Sequence, residues 1–215
     1  MNIEKTKRGQ RGRPISFDKS QLVNSVMHKF WELGYNKVSL NEIARDNGLT
    51  RASLYHSFDS KEALFLLSLK QYLKTSPDTL LDEIDNPDCV SDVLFEFLDR
   101  ICATQSEDDR RRGCFICNCI NELITSDSPL ATQLRQVMET RKQRVTLLME
   151  QAVANGEIAS NSDPVLLGNM FINFLFGLNT FSKTTTDEYQ LRGLCDGFMN
   201  SIGLYRREHL QQKIG

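Results

Sequence analysis

Three cysteines lie close together in the middle of the chain, directly after three consecutive arginines. Cys114, Cys117 and Cys119 follow residues 110–112, all of which are arginine. Positive charge and a helix N-terminus both lower the pKa of a thiol and favour its reactive thiolate form. Cys114 and Cys117 could therefore sense oxidants or electrophiles. Free cysteines also pack often as small hydrophobic side chains, and this alternative remains open.

A metal site is the other chemistry that clustered cysteines suggest. Structural zinc needs about four ligands. The sequence contains no second Cys-x-x-Cys motif, and its three histidines, His28, His56 and His209, are far apart. We therefore expect neither a metal nor a cofactor. A converging set of nucleophile, base and oxyanion donors is not recognisable either, so we do not expect an enzyme.

A second group of polar residues lies within residues 40–58, LNEIARDNGLTRASLYHSF. The apolar residues of this segment are spaced to face a small core, and Gly48 suits the left-handed backbone of a short turn between two crossed helices. The second of these helices is too short to be explained by its own burial, whereas presenting side chains to a groove would explain it. An ordinary helical hairpin is the alternative. The residues left on the outer face are Arg51, Ala52, Ser53, Tyr55 and His56.

The elements that must position these residues are all helical. Apolar residues recur at three- and four-residue steps, and no alternating strand, phosphate-binding loop or internal repeat is recognisable. The predicted fold class is all-α with about nine helices. Ser39 and Glu42 have the form of a capping box, and Thr50 and Ser60 are expected N-caps. We expect helices near 17–33, 40–47, 51–57, 61–75, 88–104, 112–125, 129–155, 163–182 and 186–207.

The N-terminal region carries a dense pattern of specific residues. They are Phe30-Trp31-Glu32-Leu33-Gly34-Tyr35, Val38-Ser39-Leu40, Ile43-Ala44, Gly48-Leu49, Ser53-Leu54-Tyr55, Phe58, Ser60-Lys61-Glu62 and Leu64-Phe65. This pattern resembles the N-terminal signature of TetR/AcrR transcriptional regulators, over about residues 17–66 and nearly without gaps. The rest of the chain resembles that family only in its helical content and length.

The resemblance implies a helix-turn-helix whose third helix enters the major groove of DNA. A dimer would place its second recognition helix about 34–36 Å along the duplex. Arg51 would then read a base edge, because its guanidinium fork suits guanine O6 and N7. By the same resemblance Tyr55 and His56 contact backbone phosphates and Lys61 adds a charge. The full expected set of DNA-contacting residues is Ser39, Thr50, Arg51, Ala52, Ser53, Tyr55, His56, Lys61 and Arg13.

Charge is unevenly distributed along the chain. Residues 1–61 contain 11 Lys and Arg against 6 Asp and Glu, whereas the whole chain has a formal net charge of −2. The basic residues of 1–16 lie among glycine and proline and predict a disordered arm. Taken with the resemblance, this predicts a helix-turn-helix DNA-binding domain over 17–62 and a helical ligand-binding and dimerisation domain over 63–215.

The second domain is expected to hold a small-molecule effector and the dimer contact. The resemblance implies that the last two helices pair across a two-fold axis. A ligand cavity would lie among the helices near 88–104, 112–125, 129–155 and 163–182, and ordinary core packing is the alternative for each lining residue. The residues we expect to line it are Phe95, Leu98, Phe115, Asn118, Asn121, Phe174 and Leu178.

Composition argues against exported and membrane proteins. The chain is 40% hydrophobic and 25% charged, as in ordinary globular proteins. Six scattered cysteines and the lack of a secretory signal pattern predict a reducing cytoplasm. Segment 165–181 is short and interrupted by asparagines, so we expect a buried helix. The expected function is a ligand-responsive repressor that binds a palindromic operator as a homodimer. The alternatives are a thiol-based sensor of the same fold and a helical interaction module without specific DNA binding.

Overall fold

The computed structural model describes residues 18–206, and within that range the chain forms ten helices and no strands. The all-α prediction is confirmed, with one helix more than expected. The helices are α1 (Lys19–Leu33), α2 (Leu40–Asp46), α3 (Arg51–Phe58), α4 (Lys61–Thr75), α5 (Thr79–Glu83), α6 (Val90–Ser106), α7 (Phe115–Leu123), α8 (Pro129–Ala154), α9 (Pro164–Phe181) and α10 (Glu188–Ser201).

The additional helix, α5, has five residues and follows directly on the corner at Ser76 and Pro77. Its two apolar residues, Leu80 and Leu81, are both buried in the core of the C-terminal helices. A segment this short carries no helical periodicity, and its conformation comes from that burial.

Helices α1, α2 and α3 form a small N-terminal head around a shared apolar centre. Val26, Phe30, Ile43 and Leu54 are each 1% exposed or less. The turn between α2 and α3 passes through Gly48, whose φ of 65° lies in the left-handed region. Glycine adopts this conformation without steric penalty, which lets α3 cross α2 after a short connection.

Two of the three predicted side-chain caps are present, and the third is absent. Thr50 accepts a hydrogen bond from the amide of Ser53 at 3.1 Å, and Ser60 accepts one from the amide of Ala63 at 3.0 Å. The predicted capping box at α2 is wrong, because the side chain of Ser39 makes no cap hydrogen bond there.

The buried apolar side chains of the described residues form two hydrophobic cores. Each core combines helices that are far apart in the chain. The first core combines the head with α4, α7 and the start of α8. The second combines α5, α6, α9 and α10 with the C-terminal half of α8. Helix α7 starts at Phe115, later than expected, because Arg111 and Gly113 have positive φ values of 51° and 68° that interrupt a helix.

Candidate nucleic-acid interface and internal cavity

The third helix presents a polar face to solvent. Arg51, Ala52, Tyr55 and His56 are all exposed, whereas Leu54 is buried and anchors the helix to the head. The guanidinium of Arg51 lies over the ring of Tyr55, 5.3 Å from its centroid, and its Nη2 donates to the Tyr55 hydroxyl at 3.4 Å. These two residues therefore form one surface unit, with the guanidinium held near an aromatic face rather than free in water.

Three further residues expected at DNA are partly engaged with the protein. The hydroxyls of Thr50 and Ser53 lie 2.8 Å apart in addition to their cap hydrogen bond, and Ser53 is half-buried. Lys61 lies over the ring of Tyr35, 4.4 Å from its centroid, and its ammonium donates to the carbonyl of Asn36 at 3.5 Å. Burial lowers the pKa of Lys61.

Two other predicted DNA-contacting residues complete this set. Ser39 is half-buried at the start of α2, next to the corner that Lys61 covers. Arg13 lies outside the described residues. The structure therefore places the expected residues of α3 on one exposed surface, with Ser39 and Lys61 at the neighbouring corner between α1 and α2.

A cavity of about 760 Å³ lies between the head and the C-terminal helices. Its walls come from α1, α4, α5, α6, α8 and α9, and from the segment that leads into α7. Much of its lining is apolar, as expected for a site that binds a small organic molecule. The apolar lining residues are Met27, Trp31, Leu73, Leu81, Phe97, Ile101, Val137, Met138, Val145, Ile172, Leu175 and Phe176.

None of the seven residues expected to line a ligand cavity lines this one. Leu98, Phe115 and Leu178 are buried within the two cores. Phe95 lies under the guanidinium of Arg206, and Phe174 stacks on Phe198 with ring centroids 4.2 Å apart. Asn118 donates to the carbonyl of Arg112, and Asn121 is exposed. The four predicted helices contribute to the walls through other residues, such as Phe97, Cys117 and Phe176, but α1, α4 and α5, which were not predicted, contribute as well.

One buried guanidinium stands out among the polar lining residues. The Nη2 atom of Arg141 lies 2.5 Å from Oδ2 of Asp78, close enough for an ion pair, yet buried and without a hydrogen bond of acceptable geometry. A buried N–H without an acceptor is costly, by about 1–3 kcal/mol. Because Arg141 and Asp78 both line the cavity, a bound molecule could supply the acceptor.

Two of the three clustered cysteines lie beside this arginine in the cavity wall. The hydroxyl of Tyr72 donates to the sulfur of Cys114 at 3.5 Å. A hydrogen bond from the thiol of Cys117, with the charge of Arg141, lowers the pKa of Cys114 to about 6 against the opposing effect of burial. The hydrogen bond to Cys114, burial and the negative charge of Cys114 raise the pKa of Cys117 well above its usual value. We call Arg141, Asp78, Tyr72, Cys114 and Cys117 the Arg141 cluster.

The arginines that precede the cysteines have other roles. Arg112 donates to Asp108 and lies next to Nδ1 of His28 at 2.9 Å, and its guanidinium lies 4.0 Å from the centre of the Trp31 ring. Arg110 pairs with Glu32 of α1. The expectation that residues 110–112 lower the pKa of Cys114 is therefore wrong, because the positive charge beside that thiol comes from α8.

The turn between α1 and α2 attaches the head to α7. The Glu122 carboxylate accepts hydrogen bonds from the amides of Tyr35 and Asn36 at 2.8 and 2.7 Å. Gly34 has a φ of 81°, and a Cβ added there would lie 2.7 Å from Oε2 of Glu122. The positive φ favours glycine at position 34, and a Cβ there would also displace the Glu122 carboxylate.

Helices α9 and α10 leave an apolar surface uncovered. Val165 and Leu166 expose more than half of their side chains, and Met170, Phe181 and Leu194 are also exposed. Helix α9 is long and apolar enough to cross a membrane by length and composition alone. One such helix is weak evidence of a membrane span, since a helix that packs against another protein surface has the same composition. Among residues 18–206, no three His, Cys, Asp or Glu side chains are grouped to hold a metal ion.

Comparisons with known proteins match both parts of the chain. Residues 27–67 match the family model described as "Bacterial regulatory proteins, tetR family", and residues 92–198 match "Tetracyclin repressor-like, C-terminal domain". YezE of Bacillus subtilis, an uncharacterized HTH-type transcriptional regulator, is 25% identical over 189 residues, which cover 86% of this chain and 96% of YezE. The transcriptional repressor ComR of Escherichia coli is 27% identical over 178 residues, or 80% of this chain and 83% of ComR.

Solved structures share the fold. A cysteine mutant of the TetR family regulator CifR, in complex with 26-base-pair operator DNA, superposes with a TM-score of 0.72 at 24% identity, over 89% of this chain and 100% of that one. A TetR regulator from Chloroflexus aurantiacus gives a TM-score of 0.72 at 20% identity, over 86% and 94% of the two chains. At these identities the likeness concerns architecture.

Proposed function

The chain belongs to the TetR family of bacterial transcriptional regulators, and on that basis we propose that it is a repressor that binds a palindromic operator as a homodimer and leaves it when a small molecule enters the cavity. The observation that carries this proposal is the exposure of Arg51, Tyr55 and His56 on a short helix whose opposite side is buried in the head. A helix of this length, held outward by two others, is suited to the major groove.

The residues of α3 divide into two roles. Arg51 is the residue suited to read sequence, because its fork can donate two hydrogen bonds to a guanine edge. The Ala52 methyl can meet a thymine methyl, and Ser53 can meet a base donor or acceptor. Tyr55, His56 and Lys61 are suited to phosphates, with Ser39 and Thr50 at the adjacent helix starts. Arg13, in the basic N-terminal segment, would add salt-sensitive attraction.

The dimer would form through the apolar surface of α9 and α10. Exposed Val165, Leu166 and Met170 lie on one helix, and Leu194 lies on the next. An apolar surface of this kind is unfavourable in water and is covered when two copies associate. A two-fold dimer supplies the second recognition helix, and a palindromic site reflects the same symmetry. The CifR neighbour was solved with operator DNA, in agreement with this function.

The effector would act through walls that the cavity shares with the head. His28 and Trp31 of α1 line the cavity directly, so a ligand there contacts a helix that shares its apolar core with α3. A molecule that binds better to one orientation of the head than to the other shifts the population toward that orientation. Release follows when the favoured orientation no longer matches two successive major grooves.

The remaining expectations fit this function. Six free cysteines, five of them buried, suit a reducing cytoplasm, where we place the protein. We propose no enzymatic activity.

Binding to the intergenic DNA upstream of the protein's own gene tests the proposal. Fluorescence anisotropy of labelled fragments should give saturable, salt-dependent binding to one palindrome, at a stoichiometry of one dimer per site. A shuffled fragment of the same composition is the control. Equal affinity for both fragments would favour an interaction module without specific DNA recognition.

A further inference from the structure

We propose that the cavity takes a neutral, apolar α,β-unsaturated ketone or aldehyde, which adds covalently to the sulfur of Cys114 while its carbonyl oxygen accepts a hydrogen bond from Arg141. This inference rests on the proposed function, since it names the chemical class of the effector. The Arg141 cluster carries it, because Cys114 and Arg141, whose Nη2 makes no hydrogen bond of regular geometry, line the same largely apolar cavity.

The position of Cys114 gives it access to the cavity although the residue is buried. Cys114 stands at the N-cap of α7, and only 7% of its surface is exposed. Cys114 lines the cavity, as do Tyr72 of α4, which donates to its sulfur, and Arg141 of α8. Reagents in solution therefore reach the sulfur through the cavity, which selects for molecules that fit its apolar walls. Cys119 of the same helix is 2% exposed and lies outside the lining.

The surroundings of the sulfur favour its thiolate. The Tyr72 hydroxyl donates to it, the Cys117 thiol donates to it, and the Arg141 charge attracts it. The helix N-terminus adds the positive end of the backbone dipole. The Tyr72 hydrogen bond and the position of Cys114 at the N-cap of α7 are geometric observations that support the same protonation state.

Charge balance decides between a neutral carbonyl compound and a carboxylate. Arg141 is already paired with Asp78, and the Cys114 thiolate adds a second negative charge beside it. An entering carboxylate would meet two anions for one cation, which is unfavourable in a cavity of low polarity. A carbonyl oxygen brings no net charge and can accept from Nη2 of Arg141, which is ion-paired with Asp78 but makes no hydrogen bond of regular geometry.

The other guanidinium groups in the lining cannot replace Arg141 in this role. Arg112 makes several hydrogen bonds to Asp108. Arg144 donates to the carbonyls of Leu81 and Ile84. Arg141 is therefore the lining arginine with a buried nitrogen that makes no hydrogen bond of regular geometry.

The reaction balances without an oxidant or a reductant. The thiolate sulfur attacks the β-carbon, a carbon–sulfur bond forms, and the carbon–carbon π bond breaks. Its electron pair moves to the carbonyl oxygen, giving an enolate that Arg141 stabilises by hydrogen bonding and charge. The α-carbon then takes a proton from water, and the product is a saturated ketone or aldehyde joined to Cys114. The thiol proton has already passed to solvent when the thiolate forms.

The adduct would act on the head through two contacts. It occupies the space beside Trp31 and His28 of α1, and it changes the Tyr72 hydrogen bond that joins α4 to Cys114. Both helices pack against each other in the first core, and α4 follows α3 in the chain. A covalent effector would therefore displace the recognition helices without needing tight reversible binding.

Three matched compounds test the inference on the full chain bound to its operator. Benzylideneacetone is an apolar enone, benzylacetone is its saturated analogue, and cinnamate carries a carboxylate beside the same alkene. Intact-protein mass spectrometry with peptide mapping follows the adduct, and anisotropy of labelled operator follows DNA release. We expect one benzylideneacetone per chain at Cys114, at a rate that saturates with concentration, together with release of DNA.

Variants assign the roles. Cys114→Ser should abolish both adduct and release, whereas Cys119→Ser, the matched control, should behave like the parent protein. Thermal unfolding of each variant checks the fold. Arg141→Met should slow benzylideneacetone addition about tenfold, while alkylation by iodoacetamide, which forms no enolate, should slow much less. An equal slowing of both reactions would overturn the role of Arg141.

Other outcomes overturn the inference in distinct ways. Release by cinnamate or benzylacetone at the same concentrations, without an adduct, would indicate a reversible effector site. A Cys114–Cys117 disulfide as the sole modification would indicate oxidation sensing instead. An adduct at Cys114 in a chain that binds no DNA specifically would sustain the chemistry of the site and refute the repressor function.

Discussion

The indole of Trp31 donates a hydrogen bond from Nε1 to the carbonyl oxygen of Gly113, 3.0 Å away. Trp31 belongs to α1 of the DNA-binding head, and Gly113 immediately precedes Cys114 at the start of α7. Because Trp31 also lines the cavity, the same side chain touches the effector space and fixes the head to the body. We infer that this hydrogen bond couples effector binding in the cavity to DNA binding by the head.

Loss of this hydrogen bond should weaken the coupling between effector binding and release of DNA. Trp31→Phe removes the donor but keeps an aromatic ring against Tyr72, whose ring centroid lies 5.1 Å from that of Trp31. We expect a loss of about 1 kcal/mol in unfolding free energy, with operator affinity nearly unchanged and a weaker response to the effector. Chemical denaturation and anisotropy titrations measure the two quantities. An unchanged effector response would show that coupling runs through other contacts.

Arg51 should contribute sequence specificity. Arg51→Ala is expected to cost about 1–3 kcal/mol on the operator and to relax base preference at one position. Lys61→Ala should weaken operator and random DNA similarly and reduce the salt dependence of binding. Arg45, which is exposed on α2, provides a control substitution to alanine. Equal losses on both kinds of DNA for Arg51→Ala would refute its base-reading role.

The apolar surface of α9 should hold the dimer together. Leu166→Asp places a charge on a side chain that is 55% exposed in the single chain, and we expect it to yield monomers. Leu147→Asp on α8, also 55% exposed, is the matched control and should leave the dimer intact. Sedimentation equilibrium at several concentrations distinguishes the two. Dimers of the Leu166 variant with unchanged affinity would place the interface elsewhere.

The reactivity of Cys114 should depend on pH in a defined direction. A pKa of about 6 means that the thiolate fraction, and with it the iodoacetamide rate, rises through pH 6 and levels off above it. The groups facing this thiol are Tyr72, Asp78, Cys117 and Arg141. Cys117→Ala removes the principal hydrogen bond to the thiolate, so the midpoint should move to higher pH. Stopped-flow alkylation of the Cys119→Ser background measures both midpoints, and an unmoved midpoint would contradict this account.

Gly34 and Gly48 should differ in their tolerance of a methyl group. Both have positive φ values, 81° and 65°, so alanine at either position is strained by about 1 kcal/mol. A Cβ at Gly48 meets nothing within 4 Å, whereas one at Gly34 meets the carboxylate of Glu122. We expect Gly34→Ala to be the more destabilising, and urea unfolding of both variants tests the order. Equal losses would mean that Glu122 moves aside without penalty.

Local patterns were sufficient to predict the head. Apolar spacing, a left-handed glycine and hydroxyl caps act within a few residues of each other, so α1 to α4 were located from the sequence, as were Thr50 and Ser60 as N-caps. The exception is Ser39, whose residue type permits a cap that its side chain does not make. The residue type determines whether a side chain is able to make an N-cap hydrogen bond. The conformation of that side chain determines whether the hydrogen bond forms.

The residues that line the cavity could not be predicted from local sequence patterns. Helices α6 and α9 are apolar on more than one side, so periodicity does not indicate which apolar residue meets a void and which meets a neighbouring helix. Phe97 lines the cavity and Phe95 does not, although they are two positions apart. The packing of α6 against α8 and α10 decides this, and that packing depends on contacts between residues far apart in the chain.

The amino-acid sequence by itself determined the helical class, the short third helix with its exposed polar face, and the clustering of three cysteines, because each depends on residue types within one or two turns. Only the tertiary structure decided what surrounds those cysteines. The neighbouring arginines 110–112 are drawn to acidic and aromatic partners, and a guanidinium from α8 takes the place expected for them. Electrostatic attraction acts through space, so the charge that controls Cys114 comes from a residue 27 positions away in the sequence.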